Sequence, residues 1–143
     1  MNYETRSADP PNLISEADFQ EMYLISEADF QATVIEMARA FGYLVAHTHD
    51  SRYSEPGVPD LLIVSQAPKT PRIIFAELKK EGGKLTEGKQ SKRTGRYLPG
   101  QVDWMNALGR CAEGPPVEVY VWYPKDLDII ERILRDYGNE DED

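Results

Sequence analysis

Pro59-Asp60-Leu61-Leu62-Ile63-Val64, followed after a polar connection by Phe75-Ala76-Glu77-Leu78-Lys79, is the stretch that decides the fold. Both runs read as apolar strands, the first opened by an acid and the second closed by Glu-x-Lys. The connection from Pro68 to Pro71 lies midway between the two acids, so a hairpin folded about it brings Asp60 close to opposite Glu77. Glu77 and Lys79 are two residues apart and share one face of a strand, while Leu78 points to the other. Two carboxylates and an ammonium then converge at one end of a sheet. That set suits a hard divalent cation beside a positively charged group able to act on water. The bland alternative is an ion cluster at a solvated sheet end. Spacing alone leaves both readings open, although burying such groups without a metal or partner is costly.

Around this hairpin the chain reads as helix, three strands, helix, strand, helix. Ser26 is the N-cap of the first helix, with Asp29 at N3, and Gly42 ends it at C′. The apolar stripe is Phe30, Val34, Met37, Ala38 and Phe41. Extended backwards it reaches Gln31 and Glu27, whereas Glu36 falls off it. A carboxylate at the mouth of a buried face makes Glu27 a candidate acid; its alternative role is a favourable charge at a helix N-terminus. Tyr43 to His47 reads as the first strand and Thr48 to Pro59 as a loop. Beyond the hairpin, Glu81 to Gly100 is a long exposed connection rich in Gly and Lys. Gln101 to Ala112 is a helix with Val102, Met105 and Leu108 inward, and Val117 to Tyr123 is an alternating strand ended by Pro124. Asp126 to Tyr137 closes the chain as an amphipathic helix burying Leu127, Ile130, Ile133 and Leu134. A strand–helix–strand crossover after a hairpin requires a parallel neighbour, so the expected fold is an α/β sandwich around a mixed sheet.

The ends add little to a core. Residues 1–23 form an extension that begins as a flexible lead-in and carries the first copy of a duplication: Leu13 to Gln20 recurs as Leu24 to Gln31. The eleven-residue period stays nearly in phase with a helix, but two copies are too few for a solenoid. Residues 24–137 are the domain, and 138–143 an acidic tail.

With 143 residues, 41% hydrophobic and 29% charged, the chain is one globular domain. Its single cysteine, Cys111, excludes an internal disulfide framework and a cysteine-rich zinc site, and reads as a small buried hydrophobe. No apolar leader and no membrane-spanning run is present in the sequence, so a soluble, cytoplasmic protein with no membrane partner is expected. Net charge is −9, which argues against a polyanionic partner until its distribution is considered. Lys79 to Arg96 holds seven basic residues against two acidic ones, a local +5, so the rest of the chain carries −14. That segment is either a phosphate-binding footprint or a solvated loop. His47 and His49 lack the further ligands of a zinc set, and Ser51 and Arg52 read equally well as surface or phosphate contacts.

Gly57-Val-Pro-Asp-Leu-Leu-Ile-Val64, Phe75-Ala-Glu-Leu-Lys79, Gly83-Lys-Leu85 and Gln101-x-x-Trp104 together resemble the VRR-NUC nuclease domain. That family belongs to the PD-(D/E)XK superfamily and includes stand-alone bacteriophage proteins and the catalytic domain of the Fanconi-associated nuclease. The resemblance spans roughly Leu24 to Leu134 and rests on the motifs in combination. It implies a restriction-endonuclease-like sandwich with a central four-stranded sheet, in the order αβββαβα. It also implies that Asp60 and Glu77 coordinate Mg²⁺ or Mn²⁺, and that Lys79 orients or activates water or stabilises charge on the phosphate. Glu27, in a Glu-x-x-Phe-Gln resembling the family's helical acidic motif, would be a further metal ligand, with Glu16 its duplicate. Gln101 would hydrogen-bond in the active site, Trp104 would anchor the core, and no organic cofactor is needed. The activity implied is endonucleolytic cleavage of DNA, branched or duplex, to 5′-phosphate and 3′-hydroxyl ends. Stand-alone relatives imply a homodimer acting on four-way junctions, in a bacterial or bacteriophage setting. The chain departs from the family pattern between Gly88 and Gly100, which reads as an insertion. There Gln90 competes with Gln101, but only Gln101 has Trp104 behind it. The insertion carries Lys89, Lys92, Arg93 and Arg96, which with Lys80 and Lys84 are the expected DNA contacts. The alternative function is a DNA-binding or assembly module whose nuclease site is vestigial.

Overall fold

The structure is a computed structural model that describes residues 4–5, 25–47 and 55–135. The first copy of the duplication, His49, Ser51, Arg52 and the acidic tail lie outside the described residues. Helix α1 (Glu27–Ala40) begins as its sequence predicts: Ser26 is the N-cap, and its hydroxyl accepts from the Asp29 N–H at 3.0 Å. Gly42, at φ 94°, turns the chain out of the helix. Phe30, Val34, Ile35 and Ala38 are its buried residues.

The main sheet comprises β1 (Glu4–Thr5), β2 (Leu44–His47), β3 (Leu61–Val64), β4 (Ile73–Leu78) and β7 (Val117–Trp122), in the spatial order β1-β7-β4-β3-β2. Strands β2, β3 and β4 are antiparallel, and β4 pairs with β7 in parallel. The parallel step is bridged by helix α2 (Gln101–Cys111), which is the crossover the sequence requires. The lead-in expected at the N-terminus contributes β1, whose two residues pair with Tyr120 and Val121. Two residues carry no period by which a sequence reading could find them, while the open edge of β7 offers backbone groups to pair. The main sheet thus has four substantial strands and a short fifth.

The connection after β4 is also more ordered than expected. Lys89–Gln90 (β5) and Tyr97–Leu98 (β6) pair as an antiparallel hairpin outside the main sheet. A short 3₁₀ turn at Pro124–Asp126 leads into helix α3 (Leu127–Arg135). The buried Asp126 carboxylate accepts from the Tyr123 N–H at 2.9 Å, so the chain turns earlier than the amphipathic pattern places the helix start.

Strand alternation divides the core into two layers. On one face Leu61, Ile63, Ile74, Ala76, Leu78, Tyr120 and Trp122 pack against α1 and α3. On the other, Phe75, Val119 and Val121 pack against Met105 and Leu108 of α2. Cys111, expected to be buried, is exposed at the end of α2, while its neighbours Gly109 and Ala112 are the ones turned to the core. Among the described residues no helix is long and apolar enough to cross a membrane.

The start of β4 and β7 is fixed by Arg72. Its guanidinium donates twice to Glu118, at 2.6 Å each, and also to Tyr43 Oη and the Ile133 carbonyl, both at 2.8 Å. One side chain thereby ties β4 to β7, to the entry of β2 and to α3. Truncation would leave the Glu118 carboxylate at 26% side-chain exposure without its bidentate partner. We expect Arg72→Ala to lower unfolding free energy by about 2–4 kcal/mol in urea titrations. A loss below about 0.5 kcal/mol would contradict this role for the cluster.

Candidate functional site

The β3–β4 register runs from Val64↔Ile73 to Leu61↔Ala76, so the next positions along the hairpin are Asp60 and Glu77. The chain enters β3 through the buried Pro59, and Asp60 supplies with its side chain what the ladder no longer supplies with its backbone. Its Oδ2 accepts from the Leu78 N–H at 2.9 Å. Lys79 extends β4 on the opposite side, its N–H donating to the Trp122 carbonyl at 3.0 Å. Leu78 therefore faces α1 and α3, while Glu77 and Lys79 face the α2 side.

Glu77 is 1% exposed in the middle of this arrangement. Its Oε2 accepts from Gln101 Nε2 at 2.7 Å and lies 4.0 Å from Lys79 Nζ. Its Oε1 is buried, with no donor in reach. The Glu77 pKa is raised to about 9, first by burial and then by the nearby Asp60 carboxylate, with Lys79 opposing both. Asp60 is also raised, by burial, against the lowering effects of the Leu78 N–H, Glu77 and Lys79. Glu77 therefore keeps its proton beside the Asp60 carboxylate.

Gln101 is the first residue of α2, and its amide is fixed at both ends. Oε1 accepts from the Thr86 N–H at 2.9 Å, so the NH₂ group must be the end that meets Glu77. Thr86 also receives the Gln101 N–H on Oγ1 at 3.3 Å and the Val102 N–H on its carbonyl at 3.0 Å, satisfying donors at the start of the helix. Two glycines permit this approach. A Cβ on Gly100 would overlap the backbone of residues 86–88, and one on Gly57 would lie 2.8 Å from Gly100 C and from the Trp104 ring. Gly57 also has φ 89°, which disfavours any side chain. Trp104 is thus the wall against which the Gly57 turn is pressed, and that turn delivers Pro59 and Asp60 to the strand.

The structure brings together Asp60, Glu77, Lys79 and Gln101. It does not bring Glu27 to them: Glu27 is exposed in the first turn of α1, and no group of three or more His, Cys, Asp or Glu residues suited to a metal forms among the described residues. Two carboxylates, not three, converge. Lys80, Lys84, Lys89, Lys92, Arg93 and Arg96 are all exposed. Gln90 is exposed in β5 and takes no part. His47 pairs opposite Leu61, half-buried at the end of β2. Sequence reading missed Thr86, because a loop residue that orients a helix side chain fifteen positions away leaves no local pattern. A cavity of about 540 Å³ lined by Lys69, Thr70, Arg72 and Glu118 among others opens at the far end of β4 and β7 and does not include the carboxylates.

Compared with protein-family models, curated proteins and solved structures, the chain matches none.

The folded Glu77 carboxyl keeps its proton well above the ordinary value of 4.5. Between that value and about 9 the folded state binds a proton that the unfolded chain has released, so metal-free stability falls as pH rises through this window. One proton limits the slope to about 1.4 kcal/mol per pH unit. Urea unfolding in EDTA should show the decline for wild type and a flatter profile for Glu77→Gln, with the variant the more stable near the upper limit. Parallel profiles would contradict the buried protonated carboxyl.

Proposed function

We propose that this chain is a divalent-metal-dependent DNA endonuclease, with a restriction-endonuclease-like, VRR-NUC-type domain. The observation that carries the reading is the buried Glu77 carboxyl, facing Asp60 and flanked by Lys79 and Gln101. A divalent cation between Asp60 and Glu77 would do for both carboxylates what the retained proton does for Glu77 alone. The residues fit such an ion: hard oxygen donors, one of them an orphaned buried oxygen, at the end of rigid strands. Two carboxylates plus water and phosphate oxygens is an ordinary ligand set for Mg²⁺ or Mn²⁺.

When bound, the ion supplies Lewis-acid neutralisation of phosphate charge and makes water more acidic. The chain's residues supply the rest. Gln101 holds the Glu77 carboxylate in one orientation, and Asp60 is held by the Leu78 N–H. Lys79, its side chain only 12% exposed, presents an ammonium close to the same carboxylate, positioned to donate to the attacking water or to the developing charge on phosphorus. The water gives up a proton to solvent as its oxygen bonds to phosphorus in line with the departing 3′ oxygen, the P–O3′ bond breaks, and the 3′ oxygen takes up a proton from solvent. The products are 5′-phosphate and 3′-hydroxyl ends. Branched DNA, including four-way junctions, is the substrate we favour, and two symmetric cuts there call for a homodimer.

One observation favours a second reading. Glu27 stays exposed and leaves two carboxylates in place of three, as in a DNA-binding or assembly module whose nuclease site is vestigial. Cleavage of linear, flapped and four-way-junction DNA with Mg²⁺ and Mn²⁺ separates the two. We expect metal-dependent cleavage, reduced at least about 100-fold in Lys79→Ala. No cleavage of any substrate with both metals supports the module. Equal activity of Lys79→Ala would contradict the assigned site.

A further inference from the structure

The hairpin formed by β5 and β6 is the most basic feature of an acidic chain. Between Gly88 and Gly100 lie Lys89, Lys92, Arg93 and Arg96 and no acid, within a protein of net charge −9. All four side chains are exposed, and among the described residues no salt bridge involves them. A loose loop would spread such charges, but this one is braced. The Gly95 N–H donates to the Ser91 carbonyl and the Ser91 N–H to the Arg96 carbonyl, both at 2.8 Å, closing a tight turn with Gly95 at φ 74°. At the base, Tyr97 Oη donates to Asp103 Oδ2 at 2.8 Å, and the same oxygen receives the Gly100 N–H at 2.9 Å. A Cβ at Gly88 would overlap the Tyr97 ring, so any larger residue there would displace the tyrosine from its seat.

Cross-strand pairing sets the two faces of the hairpin. Gln90 pairs with Tyr97 on the side held to α2, and Lys89 pairs with Leu98 on the other. Arg96 falls on the Lys89 side by alternation, and Lys92 and Arg93 occupy the tip. The base of the hairpin adjoins Gln101, which touches Glu77. A basic ribbon therefore leaves the protein from the edge of the carboxylate site with its direction fixed.

We propose that this hairpin is a ruler that docks on the phosphate backbone of duplex DNA beside the cut, an inference that rests on the nuclease reading above. From Gly88 to the tip at Arg93 is five residues, a reach of no more than roughly 16 Å at ~3.3 Å per residue. A duplex rises ~3.4 Å per base pair, so the tip meets the backbone about five base pairs from the base of the hairpin. The substrate class is thus DNA with at least about five base pairs of continuous duplex on one side of the scissile bond. A branch point is tolerated on the other side.

The test is binding by fluorescence anisotropy in EDTA, where cleavage cannot intervene, using DNA trimmed base pair by base pair from each side of the mapped cut. The variant changes Lys89, Lys92, Arg93 and Arg96 to Ala together; all four are surface residues, and circular dichroism checks the fold. Wild type should lose at least about tenfold in affinity when one flank, and only one, falls below about five base pairs. The variant should bind all lengths as wild type binds the trimmed DNA. Its slope of log affinity against log salt should be shallower by about 3 to 4, near 0.9 for each of the four charges. Loss independent of flank length, or an unchanged slope, overturns the ruler. Metal-dependent cleavage with binding that ignores flank length overturns the ruler while leaving the nuclease reading intact; no cleavage with either metal leaves no cut to trim from and overturns both.

Discussion

The placement of the Glu77 carboxyl in a site almost closed to water is the constraint on which the rest of this structure depends. A buried carboxylate with an acid beside it is unfavourable, and each neighbouring element can be understood by what it contributes against that cost. Gln101 offers one hydrogen bond and Lys79 a positive charge, and Glu77 meets the Asp60 carboxylate by retaining its proton. Each contributor is held in turn. Thr86 holds Gln101, the Leu78 N–H holds Asp60, and the Trp122 carbonyl holds the backbone of Lys79. A group protonated only because it is buried and crowded is also a group prepared to exchange that proton for a cation.

The supporting packing explains why small and flat residues recur around the site. Gly57 and Gly100 are in contact, and Trp104 closes the side that a Cβ on Gly57 would occupy. The turn before β3 and the start of α2 are thereby locked together. Those two segments deliver Asp60 and Gln101 to opposite sides of Glu77. A side chain at Gly57 would act on the carboxylates through this wedge without touching them. The opposite end of the sheet is fastened separately, by Arg72 on Glu118, Tyr43 and Ile133, so the strands are constrained at both ends.

Much of this was legible in the sequence because it depended on local pattern. The hairpin register followed from two apolar runs and a proline-bounded turn, and the crossover from a helix placed between two strands. Gly-x-Pro-Asp and Gln-x-x-Trp pointed to residues that meet in space. What escaped had no local period. Thr86 acts through a loop, β1 is two residues long, and the β5–β6 hairpin lacks alternating hydrophobicity. Glu27 lies apart from the other carboxylates for a different reason. An apolar stripe extended by angle alone ignores where the partner surface ends, and the first turn of α1 up to Asp29 is exposed, with burial beginning at Phe30.

In the proposed cation site, a divalent ion between Asp60 and Glu77 replaces the proton that burial keeps on Glu77. Calorimetric titration of Mn²⁺ in buffers of different ionisation enthalpy reads that exchange directly, because released protons add the heat of buffer protonation. With the Glu77 pKa at about 9, binding near neutral pH should release close to one proton per protein, and Glu77→Gln should abolish the release. Mn²⁺ binding with no proton release, or equal release from the variant, would contradict the account.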